Sequence, residues 1–142
     1  MLLPFPAPTT VGAGIEPFEY SLLVPHDARA VRVARTTLRA ALLAHELGEL
    51  IGRAELLANE MLTNAIVHTS GTAELSLWWS EWRVLRLTVR DDCPRPPTPR
   101  IARPYGENGR GLRLLQALAD RWGHAPSPGG GAKSVWCEIS GA

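Results

Sequence analysis

The stretch AELSLWWSEWRVLRLTVRD, residues 73–91, alternates apolar and polar side chains twice over. Leu75, Leu77 and Trp79 interleave with Ser76, Trp78 and Ser80, and Leu85, Leu87 and Val89 with Arg86, Thr88 and Arg90. A period of two is that of a strand with one face on a core. The pattern predicts strands near Ala73–Trp82 and Val84–Asp91, joined as a hairpin through Glu81-Trp82-Arg83.

Upstream, the period changes. Val31, Ala34, Leu38, Ala41 and Leu42 recur at helical spacing, which predicts a helix from an Asp27 N-cap to about His45. Leu56, Leu57, Met61, Leu62, Ala65 and Ile66 give a second helix over roughly Ile51–Thr69 a wide apolar face, and Ser70-Gly71 ends it. Before both, Phe18–Val24 (FEYSLLV) has strand composition and stops at Pro25. Residues 1–17 hold four prolines and read as a flexible arm, so the domain is expected over 18–142.

Downstream, Cys93–Asn108 contains prolines 94, 96, 97, 99 and 104, which break any helix or central strand. A loop of that length inside a compact domain usually has a function or is disordered. Gly111–Arg121 then reads as a helix with Leu112, Leu115, Leu118 and Ala119 inward; Trp122 opens a short strand, and Ser134–Ile139 is the last one. One strand, two helices, a hairpin, a helix and two more strands make an α+β sandwich, a mainly antiparallel sheet with helices on one face.

Composition narrows the function classes. A formal net charge of +1 gives no electrostatic case for nucleic acid or an anionic membrane. The first two helices have no basic face for a helix-turn-helix reader. Cys93 and Cys137 are not a CxxC pair, and the four His are too scattered for a zinc pattern. No signal peptide or membrane-length apolar run is visible, so a cytoplasmic location with reduced thiols is expected.

Three constellations could carry chemistry. Glu60 and Asn64 lie four residues apart on the second predicted helix, one stripe beside the apolar Met61 and Ala65. A carboxamide oxygen there could ligate Mg²⁺ while the carboxylate orients a water or a substrate hydroxyl; a solvated pair at a helix edge is the competing reading. Asp91 closes a strand, where an acid can accept from a ligand at the sheet's edge or simply form a turn. Gly106, Gly109 and Gly111 surround Arg110 at a helix start, a setting for an anion or only a glycine-rich turn. Ala132-Lys133-Ser134 imitates the end of a P-loop but leads into a strand and lacks the glycines, so a P-loop is excluded.

In this order, the three resemble the N, G1 and G2 boxes of the GHKL (histidine-kinase-like) ATPase superfamily. ELLANEMLTNAIVH carries E-x-x-x-N-A-x-x-H through Glu60, Asn64 and His68. GRGLRLLQALADRWGH and the closing KSVWCEI are similar to the anti-sigma-factor serine kinases, as is AVRVARTTLRAALL near the start. The likeness spans about residues 18–140. It implies a Bergerat α/β sandwich that binds ATP and Mg²⁺ under a lid, here the Cys93–Asn108 loop. It implies Glu60 as catalytic base, Asn64 as Mg²⁺ ligand and Asp91 as the acceptor for the adenine amino group. Gly109, Arg110, Gly111 and Leu112 would border the triphosphate.

The sequence departs from the family at two places in the base pocket. The G1 box D-x-G-x-G is here Asp91-Asp92-Cys93-Pro94-Arg95, without either glycine, and the usual Gly-Thr before the last strand is Ala132-Lys133. The hydroxyl near adenine is then either missing or supplied by Ser134. His68 reads as a packing residue. The resemblance implies a serine-protein kinase acting on an anti-sigma-factor antagonist, with a sigma factor as further partner and a homodimer as the assembly. The altered G1 box motivates the alternative, an interaction module of the same fold with weak or no nucleotide binding.

Overall fold

A computed structural model describes residues 16–68, 71–91, 110–126 and 132–141. The Cys93–Asn108 loop, Gly109 and all of the arm except Glu16 and Pro17 lie outside the described residues. The elements run β1 (Phe18–Val24), α1 (Ala28–Ala44), a 3-10 turn (Gly48–Leu50), α2 (Ile51–His68), β2 (Ala73–Trp79), β3 (Val84–Asp91), α3 (Arg110–Leu118), β4 (Arg121–Pro126) and β5 (Lys133–Ser140). One five-stranded sheet has the order β1-β2-β3-β5-β4, with every neighbouring pair antiparallel. This is the expected α+β architecture.

The alternation that predicted β2 and β3 sets their faces. Leu75, Leu77 and Trp79 of β2, Leu85, Leu87 and Val89 of β3, and Val135, Cys137 and Ile139 of β5 are all buried. They share a core with Leu38 and Leu42 of α1, Leu57 and Met61 of α2, and Leu115 of α3. Each fully buried side chain of this size contributes about 1.5–3 kcal/mol. The core therefore lies between the sheet and one layer of helices.

Local chemistry fixes the ends of α1. Asp27 caps it, accepting from the Arg29 backbone N–H at 2.8 Å. At the other end Glu46 takes φ 60°, Leu47 donates to the Leu42 carbonyl and Glu46 to that of Leu43. That is a Schellman stop with glutamate at the glycine position, anchored by the fully buried Leu47. His45 stacks on Phe18 at 3.9 Å and meets the Tyr20 hydroxyl at 2.7 Å, tying the helix to β1.

The hairpin closes earlier than its apolar pattern. β2 ends at Trp79 because the Ser80 hydroxyl accepts from the backbone N–H groups of Trp82 and Val84, and Arg83 turns at φ 62°. Likewise α3 stops at Leu118, short of the expected Arg121. The Asp120 N–H donates to the Glu138 carbonyl and its carboxylate accepts from Ser140 N–H at 2.7 Å, so the chain joins the sheet there.

The sheet's other face has its own cover. Glu138 pairs with Arg86 at 2.8 Å and Arg121 at 3.5 Å, and the Arg86 guanidinium lies 4.6 Å over the Trp136 ring. A Cβ on Gly123 would meet Trp136 at 2.8 Å, so the glycine lets β4 pass under that ring.

Within the core, the Cys137 thiol donates to the Met61 sulfur at 3.8 Å. Burial pushes its pKa up to about 12. Cys137 should resist alkylation at pH 8 in the native protein and react at once in denaturant; labelling followed by mass spectrometry checks this. Rapid native labelling would show that α2 leaves the sheet readily.

Candidate functional site

Helix α2 runs along β5 in the opposite direction. Arg53, near its start, donates to the Ser140 carbonyl at 3.1 Å, and Met61, two turns on, meets Cys137. Asn64 follows by a further turn, about 4.5 Å along the axis, toward the end of β5 that begins with Lys133. Antiparallel register places Asp91 directly opposite Lys133. The carboxylate–carboxamide helix and the strand-end acid thus approach one end of the sheet.

Their environments differ. Glu60 is half-buried, whereas Asn64 is only 7% exposed. The Asn64 carboxamide oxygen is buried and has no hydrogen-bond partner among the described residues. An unmade bond of that kind costs about 1–3 kcal/mol. Asp91 is 3% exposed, and the Lys133 ammonium lies 4.0 Å from its carboxylate. Two buried groups of opposite charge are thereby balanced, though at a separation longer than a hydrogen bond.

Lys133 stands where sequence reasoning expected a hydroxyl. Strand alternation puts Lys133, Val135 and Cys137 on the core face with Asp91. Ser134 pairs with Arg90 and takes the opposite face, so its hydroxyl is on the far side of the sheet from Asp91. This corrects the expectation that Ser134 replaces the missing hydroxyl. The apolar alternation of KSVWCEI carries the signal, since Lys133 shares its parity with Val135 and Cys137.

Arg110, Gly111 and Leu112 form the first turn of α3. Leu115 anchors this helix in the core, and Asp120 beyond its end binds β5 near Ser140. Asp120, missed as a functional candidate, fixes where α3 terminates. A cleft of about 230 Å³ also opens between α1 and α2, lined by Val31, Arg32, Arg35, Asn59 and Thr63 among others. It includes none of Glu60, Asn64 and Asp91. Among the described residues no cluster of three or more His, Cys, Asp or Glu is placed to hold a metal. No described helix is long and apolar enough to cross a membrane.

The model of the histidine kinase-like ATPase domain matches residues 24–134, most of the chain. The chain belongs to the histidine kinase-like ATPase family. That match spans α1, α2, the hairpin, α3 and β4, and stops at the start of the closing strand. No curated protein sequence matches the chain. Among solved structures it is similar to a chain of the SiaB–SiaC complex from Pseudomonas aeruginosa, with a TM-score of 0.61 at 10% identity, over 84% of this chain and 88% of that one. At that identity the likeness is one of fold alone.

An ATPase domain of this family implies ATP, usually with Mg²⁺, and the residues present fit both. Asn64 offers a hard oxygen donor that lacks a protein partner, which suits an ion completed by phosphate oxygens and water. Asp91 offers a buried acceptor at the strand end.

Proposed function

We propose that this protein is a Mg²⁺–ATP-dependent serine-protein kinase of the anti-sigma-factor type. The orphaned Asn64 oxygen is the observation that carries the reading, because a fold leaves such an atom buried at a cost unless a ligand completes it. Mg²⁺-bound ATP supplies the transferable phosphoryl group and part of the charge neutralisation that its transfer needs. Asn64 holds the ion, Asp91 accepts from the base amino group, and the first turn of α3 with Gly109, Arg110, Gly111 and Leu112 borders the phosphates. Glu60 would accept the proton of the attacking serine hydroxyl as the serine O–P bond forms and the bond from the γ-phosphorus to the β,γ-bridging oxygen breaks, with ADP as the leaving group.

The protein substrate is an anti-sigma-factor antagonist, and a sigma factor is the second partner. A neighbour of the same fold found in a two-protein complex agrees with a partner-binding role. Trp78, 43% exposed, and Trp82, 79% exposed, are apolar surface for a homodimer contact. The site of action is the cytoplasm.

Calorimetric titration with ATP plus Mg²⁺ tests the reading. Saturable heat is expected with wild type and a loss of at least about tenfold in affinity with Asp91→Asn, since a buried charged acceptor is worth roughly 1.5–3 kcal/mol. No heat at millimolar nucleotide would favour the second reading, a non-catalytic interaction module. The observation behind that alternative is the Lys133 ammonium already neutralising Asp91.

A further inference from the structure

Helix α1 carries arginines at positions 29, 32, 35 and 39. The outer two are paired, Arg29 with Asp27 at 2.8 Å and Arg39 with Glu55 at 2.6 Å. Arg32 and Arg35 line the cleft of about 230 Å³ between α1 and α2, and among the described residues no acid lines it with them. Neither forms a salt bridge among the described residues. Arg35 is half-buried, and its Nε is enclosed without a hydrogen-bond partner among the described residues. A guanidinium N–H shut away without an acceptor destabilises the fold, and like charges three residues apart on one helix repel. A water molecule would answer only the first of these; an anion answers both.

We propose that the α1–α2 cleft is a binding site for a carboxylate on a short aliphatic stem. The Arg35 guanidinium presents Nε and a terminal nitrogen as a planar fork that matches two carboxylate oxygens, and Arg32 adds a second positive charge at the exposed rim. Across the cleft, Asn59 and Thr63 stand one turn apart on α2 and offer an amide and a hydroxyl donor. Val31 and Ile66 complete the lining and give the stem an apolar wall, which a bare phosphate or sulfate would leave wetted. The volume is many times the roughly 10–15 Å³ that a single water needs.

This site shares no side chain with the nucleotide site and does not depend on it. Asn59 and Thr63 are the residues immediately before Glu60 and Asn64, so two turns of one helix serve both. A free short-chain dicarboxylate and the acidic side chain of a bound protein carry the same group, and the arms of the test separate these two sources.

Glutarate, and a capped pentapeptide with one central glutamate, are each titrated into the full chain at constant ionic strength. Nitrogen–proton NMR follows the arginine Nε–H signals, and Arg35→Lys assigns the Arg35 signal by removing it. That signal is expected to shift saturably with at least one of the two ligands, and Arg35→Met to weaken the same ligand by at least about tenfold. Saturation by glutarate marks a small molecule as the source; saturation by the peptide alone marks a protein. Thermal unfolding checks that the variants fold. Arg32→Gln alters only an exposed side chain, so it carries the test if Arg35→Met does not fold, with a weakening of at least about threefold expected. Inorganic phosphate bound as tightly as glutarate, or a glutamine peptide bound as tightly as the glutamate one, overturns the carboxylate assignment. An Arg35 signal unmoved by either ligand at millimolar concentration, or affinity unchanged in both variants, overturns the site.

Discussion

Glu60→Ala is expected to bind Mg²⁺–ATP nearly as well as wild type while transferring phosphoryl at least about 100-fold more slowly. The split follows from where Glu60 sits. It is half-buried on α2, one turn before Asn64, and reaches solvent where Asn64 does not. Its assigned task is to take a proton from the incoming serine, so its removal touches the nucleotide little. Glu60→Gln makes the sharper variant, since it keeps volume and hydrogen bonding and loses only basicity. Transfer from radiolabelled ATP to the antagonist proteins of the same cell, set beside calorimetric affinity, reads both quantities. Wild-type transfer rates in Glu60→Ala would remove Glu60 from the reaction.

Asn64→Leu should move stability and binding in opposite directions. The wild-type carboxamide oxygen is buried without a protein partner, and replacing it by an apolar side chain of similar volume removes a penalty of about 1–3 kcal/mol from the ligand-free protein. The same change deletes the oxygen assigned to Mg²⁺. We expect a ligand-free melting temperature equal to or above wild type, and Mg²⁺-dependent ATP affinity lower by at least about tenfold. Such opposed signs mark a residue kept for ligand chemistry at the expense of stability. A variant that melts lower and still binds Mg²⁺–ATP as wild type would mean that Asn64 serves the core.

Strict alternation made the central strands legible, and wherever their side chains meet helices the structure agrees with the period of two. Leu85, Leu87 and Val89 inward, Arg86 and Arg90 outward, could be read directly. The stripe of α1 was equally plain, because Val31, Ala34, Leu38 and Leu42 bury as their spacing requires. Errors arose where long-range hydrogen bonds override local pattern. Leu118 and Ala119 belong to a good helical stripe, yet Asp120 and Arg121 are drawn out of it by Glu138 of β5. Trp82 continues the apolar run of β2, but Ser80 closes the turn first.

For the candidate site, Glu60, Asn64 and Asp91 were visible as spacing. The partnership of Asp91 with Lys133 was not. Forty-two positions separate them in the sequence, and which of Lys133 or Ser134 faces the acid depends on a one-residue choice of strand register. Parity along Val135, Cys137 and Ile139 would have settled it, given the pairing with β3. No pattern within α2 could show that Asn64 lacks a partner, because that is a property of everything packed around it.

Met61 lies between Glu60 and Asn64 in the chain, and its sulfur is locked onto Cys137 inside the sheet. The proposed couple is therefore carried on a helix face pressed into the core, and a swing of that face away from the sheet would break the sulfur contact and open the core together.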